Sequence, residues 1–296
     1  MNIVVCVKPV PDTSIISFNE KGGYLNSDDL VYVVNPHDMV AVEEAVQIKE
    51  LRQPSYITLI SMAPPSNKRL LQHCLALGAD EAILLWNSSF CDSDCYATAT
   101  VLAKAISSLQ YDLVLSGQKA ADTEQGQVGC IIAEILDIPS ITRVAEIEIL
   151  PNCNKLTVES KLERGKRNLV EVPLPALLAV EMDLNEPRYA SLPSLMASLR
   201  QDIKEYNFEA LNLSSEEVGS RGSKTKVVTL SRPRPRPKKV FTPDSSLSAQ
   251  ERMKLIMSGG ITEKKTDLIK GNPDEVSSKF IEYISLCVKN GEIPTP

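Results

Sequence analysis

The sequence predicts an α/β fold in which a mostly parallel sheet carries helices on both faces. Three observations lead to this prediction. In the first half of the chain, short apolar segments rich in β-branched residues alternate with amphipathic segments of ten or more residues. After residue 136, extended segments separated by polar turns replace this alternation. Beyond residue 200 the chain becomes polar and then shows two further helical patterns.

The first half supplies the parallel core. Its predicted strands are 3–7, 56–61, 82–86 and 112–115. Its predicted helices are 38–50, 67–77 and 96–109. Because strands and helices alternate, we expect right-handed crossover connections that place helices on both faces of the sheet.

Antiparallel hairpins are predicted as additions to this core. The insert 9–35 contains Gly22–Gly23 and is interpreted as a β-hairpin at the carboxyl edge of the sheet, where open α/β sheets bind ligands. Further extended segments are predicted at 141–150, 156–162 and 169–180. Pro173 and Pro175 indicate that the last of these is partly irregular or lies at an edge.

The composition divides the chain into residues 1–200 and residues 201–296. In the second part, the alternating arginines and prolines of 231–239 favour an extended polyproline form, which serves either as a stiff connector or as an anion-binding arm. Helices are predicted at 248–258 and 274–289. The last helix is amphipathic, so we expect it to pack on its own domain or on a partner subunit.

Composition excludes several classes of function. The chain has 296 residues, with 32 basic against 38 acidic side chains, and this net charge of −6 argues against a general nucleic-acid binder. No apolar run approaches the roughly 18 residues that span a bilayer, and the N-terminus lacks the pattern of a signal peptide. Seven scattered cysteines indicate reduced thiols rather than a disulfide framework. A cytoplasmic protein without membrane insertion is expected.

The start of the first helix, Asn35-Pro36-His37-Asp38, has two interpretations. Asparagine before proline, followed by an acid in the first turn, is typical of a helix cap. Amides at a helix N-terminus also receive anions, which would make these residues part of a binding site. Both interpretations stay open from the residues alone.

The stretch 116–130 (SGQKAADTEQGQVGC) has a similar ambiguity. It joins an apolar strand to a helix predicted at 127–136, and its three glycines match neither of the standard phosphate-binding motifs. Small residues would let the backbone approach a phosphate, whereas Asp122 and Glu124 would repel one. Residue chemistry alone therefore leaves a phosphate cradle and an ordinary turn equally open.

The sequence gives little support for a catalytic nucleophile or for a metal site. Cys6 is predicted at the end of a buried strand, where a small core residue is the simpler interpretation. Cys91 and Cys95 are close in sequence, but a metal site would need two more ligands from elsewhere.

Several motifs together resemble one family. They are VCVKPVPDT, NPHDMVAVEEAVQIKE, LALGADEAILL, DLVLSGQKAADTEQGQVG and DLNEPRYASLPSLM, which occur in this order between residues 1 and 200. The chain is similar to the β (small) subunits of electron transfer flavoproteins and to FixA-type proteins. The resemblance implies a Rossmann-like, adenine nucleotide-binding domain that pairs with a larger α subunit. It also implies an electron-carrier subunit rather than an autonomous enzyme. The alternative is a stand-alone adenine-nucleotide sensor without flavin.

The resemblance also implies cofactors and partners. The main redox FAD would be held mostly by the α subunit, and this subunit would bind AMP or, in electron-bifurcating members, a second FAD. Electrons would come from a dehydrogenase or NADH and pass to a redox partner, such as a quinone-linked one. Gly126, a small residue before Gln127-Val128-Gly129, favours the second FAD. Against this, Asp122-Thr123-Glu124-Gln125 departs from the Asp-Gly-Asp-Thr of bifurcating members. Both nucleotides stay open.

Site residues follow from the same resemblance. The nucleotide pocket would use Cys6, Asn35, Pro36, His37, Asp38, Met62, Gly117, Asp122, Thr123, Glu124, Gln125, Gly126, Gln127, Val128 and Gly129. The segment that docks a redox partner would use Leu184, Glu186, Arg188, Tyr189, Leu192 and Leu195. No catalytic or metal-binding residue is expected.

Overall fold

A computed structural model describes residues 1–14, 30–149, 154–229, 243–244, 246–257 and 271–289. Residues 1–232 form one compact unit and residues 233–296 a second. The boundary predicted at residue 200 stays a prediction. The turn Gly22–Gly23 and the arginine–proline stretch 231–239 lie outside the described residues.

The first unit is built on one nine-stranded sheet, and its mostly parallel character is as predicted. Its strands are β1 (Asn2–Cys6), β4 (Tyr56–Met62), β5 (Glu81–Leu85), β6 (Leu113–Gly117), β7 (Ser140–Ile149), β8 (Lys155–Lys161), β9 (Arg167–Pro173), β10 (Ala176–Val180) and β11 (Lys204–Tyr206). The strand order is β11-β5-β4-β1-β6-β10-β7-β8-β9. All neighbours are parallel except β7 with β8 and β8 with β9. A separate antiparallel pair, β2 (Pro9–Pro11) and β3 (Tyr32–Val34), forms the base of the predicted insert.

Helices separate the strands along the chain. In the first unit they are α1 (Pro36–Leu51), α2 (Lys68–Ala76), α3 (Cys95–Ser107), α4 (Val128–Leu136), α5 (Leu192–Ser198) and α6 (Gly219–Gly222). The second unit contains α7 (Ala249–Met257) and α8 (Pro273–Lys289), which confirms the two predicted C-terminal helices. Among the described residues, the structure contains no helix with the length and apolar character that crossing a membrane requires.

Strand β1 shows why helices cover both faces of the sheet. Its side chains alternate, so Ile3 and Val5 pack into a core that α1 and α2 share, while Val4 and Cys6 pack into a second core with α3 and α4. Every side chain from Ile3 to Cys6 is buried. A strand that is buried on both faces needs the continuous apolar sequence from which the fold was predicted.

The segment 169–180 differs from its prediction as a single irregular or edge strand. It forms two strands, separated by Leu174 and Pro175. Strand β9 lies at the edge of the sheet, whereas β10 lies inside it, between β6 and β7. The assignment of β10 to an edge or to an antiparallel hairpin is wrong, because β10 pairs in parallel with both of its neighbours and its five residues are all buried. The prolines lie at the end of β9 and before β10, where neither interrupts a central strand.

Candidate functional site

Three neighbouring parallel strands end at the candidate site. Cys6, Met62 and Gly117 are the last residues of β1, β4 and β6, which are adjacent in the sheet. Parallel strands place their carboxyl ends at one edge, where ligands of open α/β sheets bind. The structure therefore brings these three predicted residues to a common edge, and helix α1 begins beside them.

Asp38 fixes the start of α1 to this edge. Its carboxylate accepts a hydrogen bond from the backbone N–H of Lys8 at 2.7 Å and another from that of Gly117 at 3.0 Å. Gly117 permits this approach, because a Cβ at that position would lie 2.3 Å from Asp38 Oδ1 and 2.6 Å from His37 Cβ. One carboxylate thus joins the helix to the residues that follow β1 and to the end of β6.

Burial raises the pKa values of two groups at this edge, the carboxyl of Asp38 and the thiol of Cys6. It raises the pKa of Asp38 to about 7, against the lowering effect of the hydrogen bonds from Lys8 and Gly117. Burial, with a smaller contribution from the charge of Asp38, raises the pKa of the Cys6 thiol to about 12. Cys6 is therefore a neutral thiol in the core, which agrees with its interpretation as a small core residue and not as a nucleophile.

Asn35 does not act as a helix cap in the expected way. It occupies the N-cap position of α1, but within the described structure its side chain makes no capping hydrogen bond. Instead, Nδ2 donates to the carbonyl of Lys119 at 3.0 Å, and Oδ1 accepts from the N–H of Ala121 at 3.0 Å. Asn35 therefore fixes the loop after β6 to the first turn of α1, and it is almost fully buried.

Asp122 and Glu124, the two acids expected to repel a phosphate, each form an ion pair with a lysine. Lys8 Nζ donates to both carboxylate oxygens of Asp122 at 2.7 Å, and Lys119 Nζ donates to Glu124 Oε1 at 2.9 Å. The side chain of Asp122 is 24% exposed and that of Glu124 is 65% exposed, so the first pair is the better shielded. The loop therefore presents paired rather than free negative charges.

The glycines before α4 have structural reasons of their own. Gly126 has a φ of +62°, a left-handed conformation that glycine adopts without strain. A Cβ on Gly129 would lie 2.8 Å from Ser116 Oγ and 3.3 Å from Leu177 Cδ2, so its absence lets α4 pack closely on the sheet. Gln127 precedes Val128, the first residue of α4, and its side chain makes no capping hydrogen bond in the described structure.

The remaining loop residues differ in their surroundings. Gln125 Oε1 accepts a hydrogen bond from the thiol of Cys95, at the start of α3, with the heavy atoms 2.5 Å apart. Thr123 is exposed and Pro36 is the first residue of α1. Three buried polar atoms near this edge have no hydrogen-bond partner within the described structure, namely His37 Nδ1, Ser61 Oγ and Ser116 Oγ.

The predicted docking segment contains inward and outward side chains. Leu184 is partly buried against the core, whereas Glu186 is exposed. Arg188 donates to Glu43 and Glu50 of α1. Tyr189 is fully exposed and Leu192, the first residue of α5, is 70% exposed, while Leu195 is half-buried. Tyr189 and Leu192 are the large side chains of this segment that solvent reaches most freely.

Comparison with known proteins places the chain in a family. A model described as "Electron transfer flavoprotein domain" matches residues 25–211, which is more than half of the chain. The chain belongs to the electron transfer flavoprotein family. Its function is that of an electron-transfer small subunit, and a stand-alone nucleotide sensor is not favoured.

Relatives identify the branch of the family. "Electron transfer flavoprotein subunit beta" of Thermoanaerobacterium thermosaccharolyticum is 41% identical over 79% of this chain and 88% of its own length. "Caffeyl-CoA reductase-Etf complex subunit CarD" of Acetobacterium woodii is 38% identical, over 77% and 86%. "Protein FixA" of Azotobacter vinelandii is 32% identical, over 81% and 86%. The chain is thus similar to β subunits and FixA across most of its length.

Sequence reasoning missed several residues that organise this electron transfer flavoprotein subunit. Lys8 could have been found, because it follows β1 at the carboxyl edge and is a cation beside a loop that contains acids. Glu44 and Asn185 carry no such signal. They lie in α1 and in the loop after β10, and Asn185 Nδ2 donates to Glu44 Oε2 across 141 positions.

Proposed function

We propose that this chain is the small subunit of a heterodimeric electron carrier and holds an adenine nucleotide at the carboxyl edge of its sheet. The observation that carries the proposal is the loop after β6, which Asn35 fixes to α1 and whose acids are paired with Lys8 and Lys119. Paired acids repel an anionic phosphate less than free ones. The loop leads directly into α4, and the N-terminus of a helix favours anions.

The residues at this edge fit such a ligand. His37 Nδ1, Ser61 Oγ and Ser116 Oγ are buried polar atoms without partners in the described structure, and buried polar atoms are normally hydrogen-bonded. The hydroxyl and amine groups of an adenosine moiety would supply suitable partners. FAD, when bound in the complex, supplies the electron-carrying chemistry, while this chain binds and orients.

We infer that the nucleotide is either a second FAD or AMP, and the number of flavins decides between them. Purification with the larger α subunit should give a yellow complex. Two flavins per heterodimer would identify a second FAD in this subunit, and one flavin with one AMP would identify AMP. A colourless, stable monomer that binds adenine nucleotide would overturn the carrier role and support a stand-alone module.

The partners are inferred from the same family. The relative named as a subunit of a caffeyl-CoA reductase–Etf complex supports assembly with a redox enzyme. We propose that this chain pairs with an electron transfer flavoprotein α subunit and exchanges electrons with a dehydrogenase or a quinone-linked redox protein. We further propose a cytoplasmic location, which the free cysteines Cys6, Cys74, Cys91, Cys95 and Cys130 support.

Lys8→Gln is expected to weaken nucleotide retention about fivefold, the factor that corresponds to roughly 1 kcal/mol for a partly shielded ion pair. The variant leaves Asp122 without its partner and returns a free negative charge to the loop. Nucleotide released after gel filtration of the complex would measure the effect. Lys119→Gln is the matched control, since its partner Glu124 is more exposed, and we expect less than a twofold change. Equal losses in the two variants would contradict a special role of the Lys8 pair.

Leu192→Ala is expected to slow electron transfer from the dehydrogenase about tenfold, because an exposed apolar anchor contributes on the order of 1–2 kcal/mol to docking. Leu192 is 70% exposed and lies at the start of α5, so its loss should not disturb the core. Stopped-flow reduction of the flavin measures the rate, and nucleotide content should stay unchanged. Loss of nucleotide in this variant would argue against a docking role.

A further inference from the structure

A network of hydrogen bonds holds the docking segment on helix α1. Arg188 donates from Nε and Nη2 to Glu43 Oε1 at 3.1 and 3.0 Å, and from Nη1 and Nη2 to Glu50 at 2.6 and 3.0 Å. The backbone N–H of Arg188 also donates to Glu43 Oε2 at 3.1 Å. Asn185 adds hydrogen bonds from Nδ2 to Glu44 Oε2 at 2.9 Å and to the carbonyl of Val40 at 3.2 Å.

The two carboxylates that Arg188 contacts differ in burial. The Glu43 side chain is 3% exposed, whereas that of Glu50 is 57% exposed. Removing a charged partner from a buried carboxylate is costly, while an exposed ion pair contributes little. Among the described residues, Gln47 is the other side chain that donates to Glu43, at 2.9 Å, and it is neutral. The pair of Arg188 with Glu43 is therefore the better shielded of the two ion pairs that hold the segment on α1, beside the hydrogen bonds of Asn185.

We propose that Arg188 is a positioning residue, which holds the segment that carries Leu192 on α1 rather than contacting the redox partner itself. This inference rests on the proposed docking function of that segment. Arg188 lies next to Tyr189, which is fully exposed, and four residues before Leu192. Its guanidinium is engaged by two carboxylates of its own chain, so it fixes the place from which these exposed side chains extend.

Arg188→Gln in the complex with the α subunit tests this proposal. The donor is an acyl-CoA dehydrogenase reduced by its own acyl-CoA substrate. We expect KM for this donor to rise about tenfold with kcat within twofold, because charge-assisted hydrogen bonds are worth at least that factor. Backbone amides of residues 184–195 should exchange hydrogen about tenfold faster. Reduction by dithionite, which needs no docking, should keep its rate.

Two further variants sharpen the test. Glu50→Gln removes the exposed partner alone and should change KM less than twofold. Arg188→Lys keeps a charge beside Glu43 but loses the fork that reaches both carboxylates, and it should recover part of the lost KM. If Arg188→Gln does not fold, Arg188→Lys supplies the same two readouts, with smaller changes of the same sign.

The outcomes separate this proposal from the docking function itself. The positioning role would be overturned if Arg188→Gln changed neither KM nor the amide hydrogen exchange of residues 184–195. A raised KM in Leu192→Ala would then leave the docking function intact. An unchanged KM in Leu192→Ala would instead overturn docking, and the exchange of 184–195 would still show whether Arg188 fixes the segment. Exchange that rises across the whole sheet would indicate a general structural role and would also overturn positioning.

Discussion

Gly117→Ala is expected to lower the free energy of unfolding by about 3–5 kcal/mol, from overpacking together with a weakened charge-assisted hydrogen bond. The added Cβ would lie 2.3 Å from Asp38 Oδ1, 2.6 Å from His37 Cβ and 3.0 Å from the backbone N of Asp38. Two of these three atoms cannot rotate away, because they belong to the first turn of α1. The helix would have to move from the end of β6, and the hydrogen bond from Gly117 N to Asp38 would lengthen. Urea unfolding of the full chain measures the loss.

Gly165→Ala is the matched control for this variant. Gly165 has a φ of +73°, and no atom of the described residues lies within 4 Å of the position that a Cβ would take. Its substitution adds backbone strain without a steric clash, so we expect a cost of about 1 kcal/mol. Gly117→Ala should also lose nucleotide from the complex, since α1 and the loop after β6 meet there. Equal destabilisation by the two substitutions would show that the close approach at Gly117 is unimportant.

The parallel core was predictable because its pattern is local. The buried strands β1 and β4 are mostly apolar runs, and helix α3 repeats its apolar positions within its own segment. Helix α4, predicted at 127–136, forms at Val128–Leu136, and the C-terminal helices form within a few residues of their predicted bounds. The single strand assigned to 169–180 failed because pairing partners, and not the segment itself, decide which strand is central.

The candidate site was predictable in outline and not in its contacts. The edge at Cys6, Met62 and Gly117 follows from the strand pattern with the family resemblance. The hydrogen bonds of Asn35 reach residues 84 and 86 positions away, and those of Arg188 reach Glu43 across 145 positions. Side-chain partners at such separations depend on the packing of α1 against the sheet, which no local pattern encodes. The spacing of the glycines did not reveal their roles for a related reason. Gly129 is required by its close contact with Ser116 of the sheet, which is distant in the local pattern.

Asp38 should make stability depend on pH in a direction opposite to that of most carboxylates. Burial raises its pKa in the folded protein to about 7, above the value of an unfolded aspartate. Between these two pKa values the folded state binds one proton more than the unfolded state, so stability falls as pH rises. The contribution is fully present at the lowest pH and is lost as pH passes through about 7. An asparagine at position 38 has no such titration.

We therefore expect the free energy of unfolding of the native chain, minus that of Asp38→Asn, to fall by about 3 kcal/mol between pH 5 and pH 8. Urea titrations of both proteins at several pH values measure this difference, in which other titrating groups cancel. A flat profile for Asp38→Asn would mean that the carboxylate is already ionised at pH 5, held so by the amides of Lys8 and Gly117. In that case the fixed start of α1 would carry a permanent negative charge, and a nucleotide phosphate would have to bind at the α4 side of the edge.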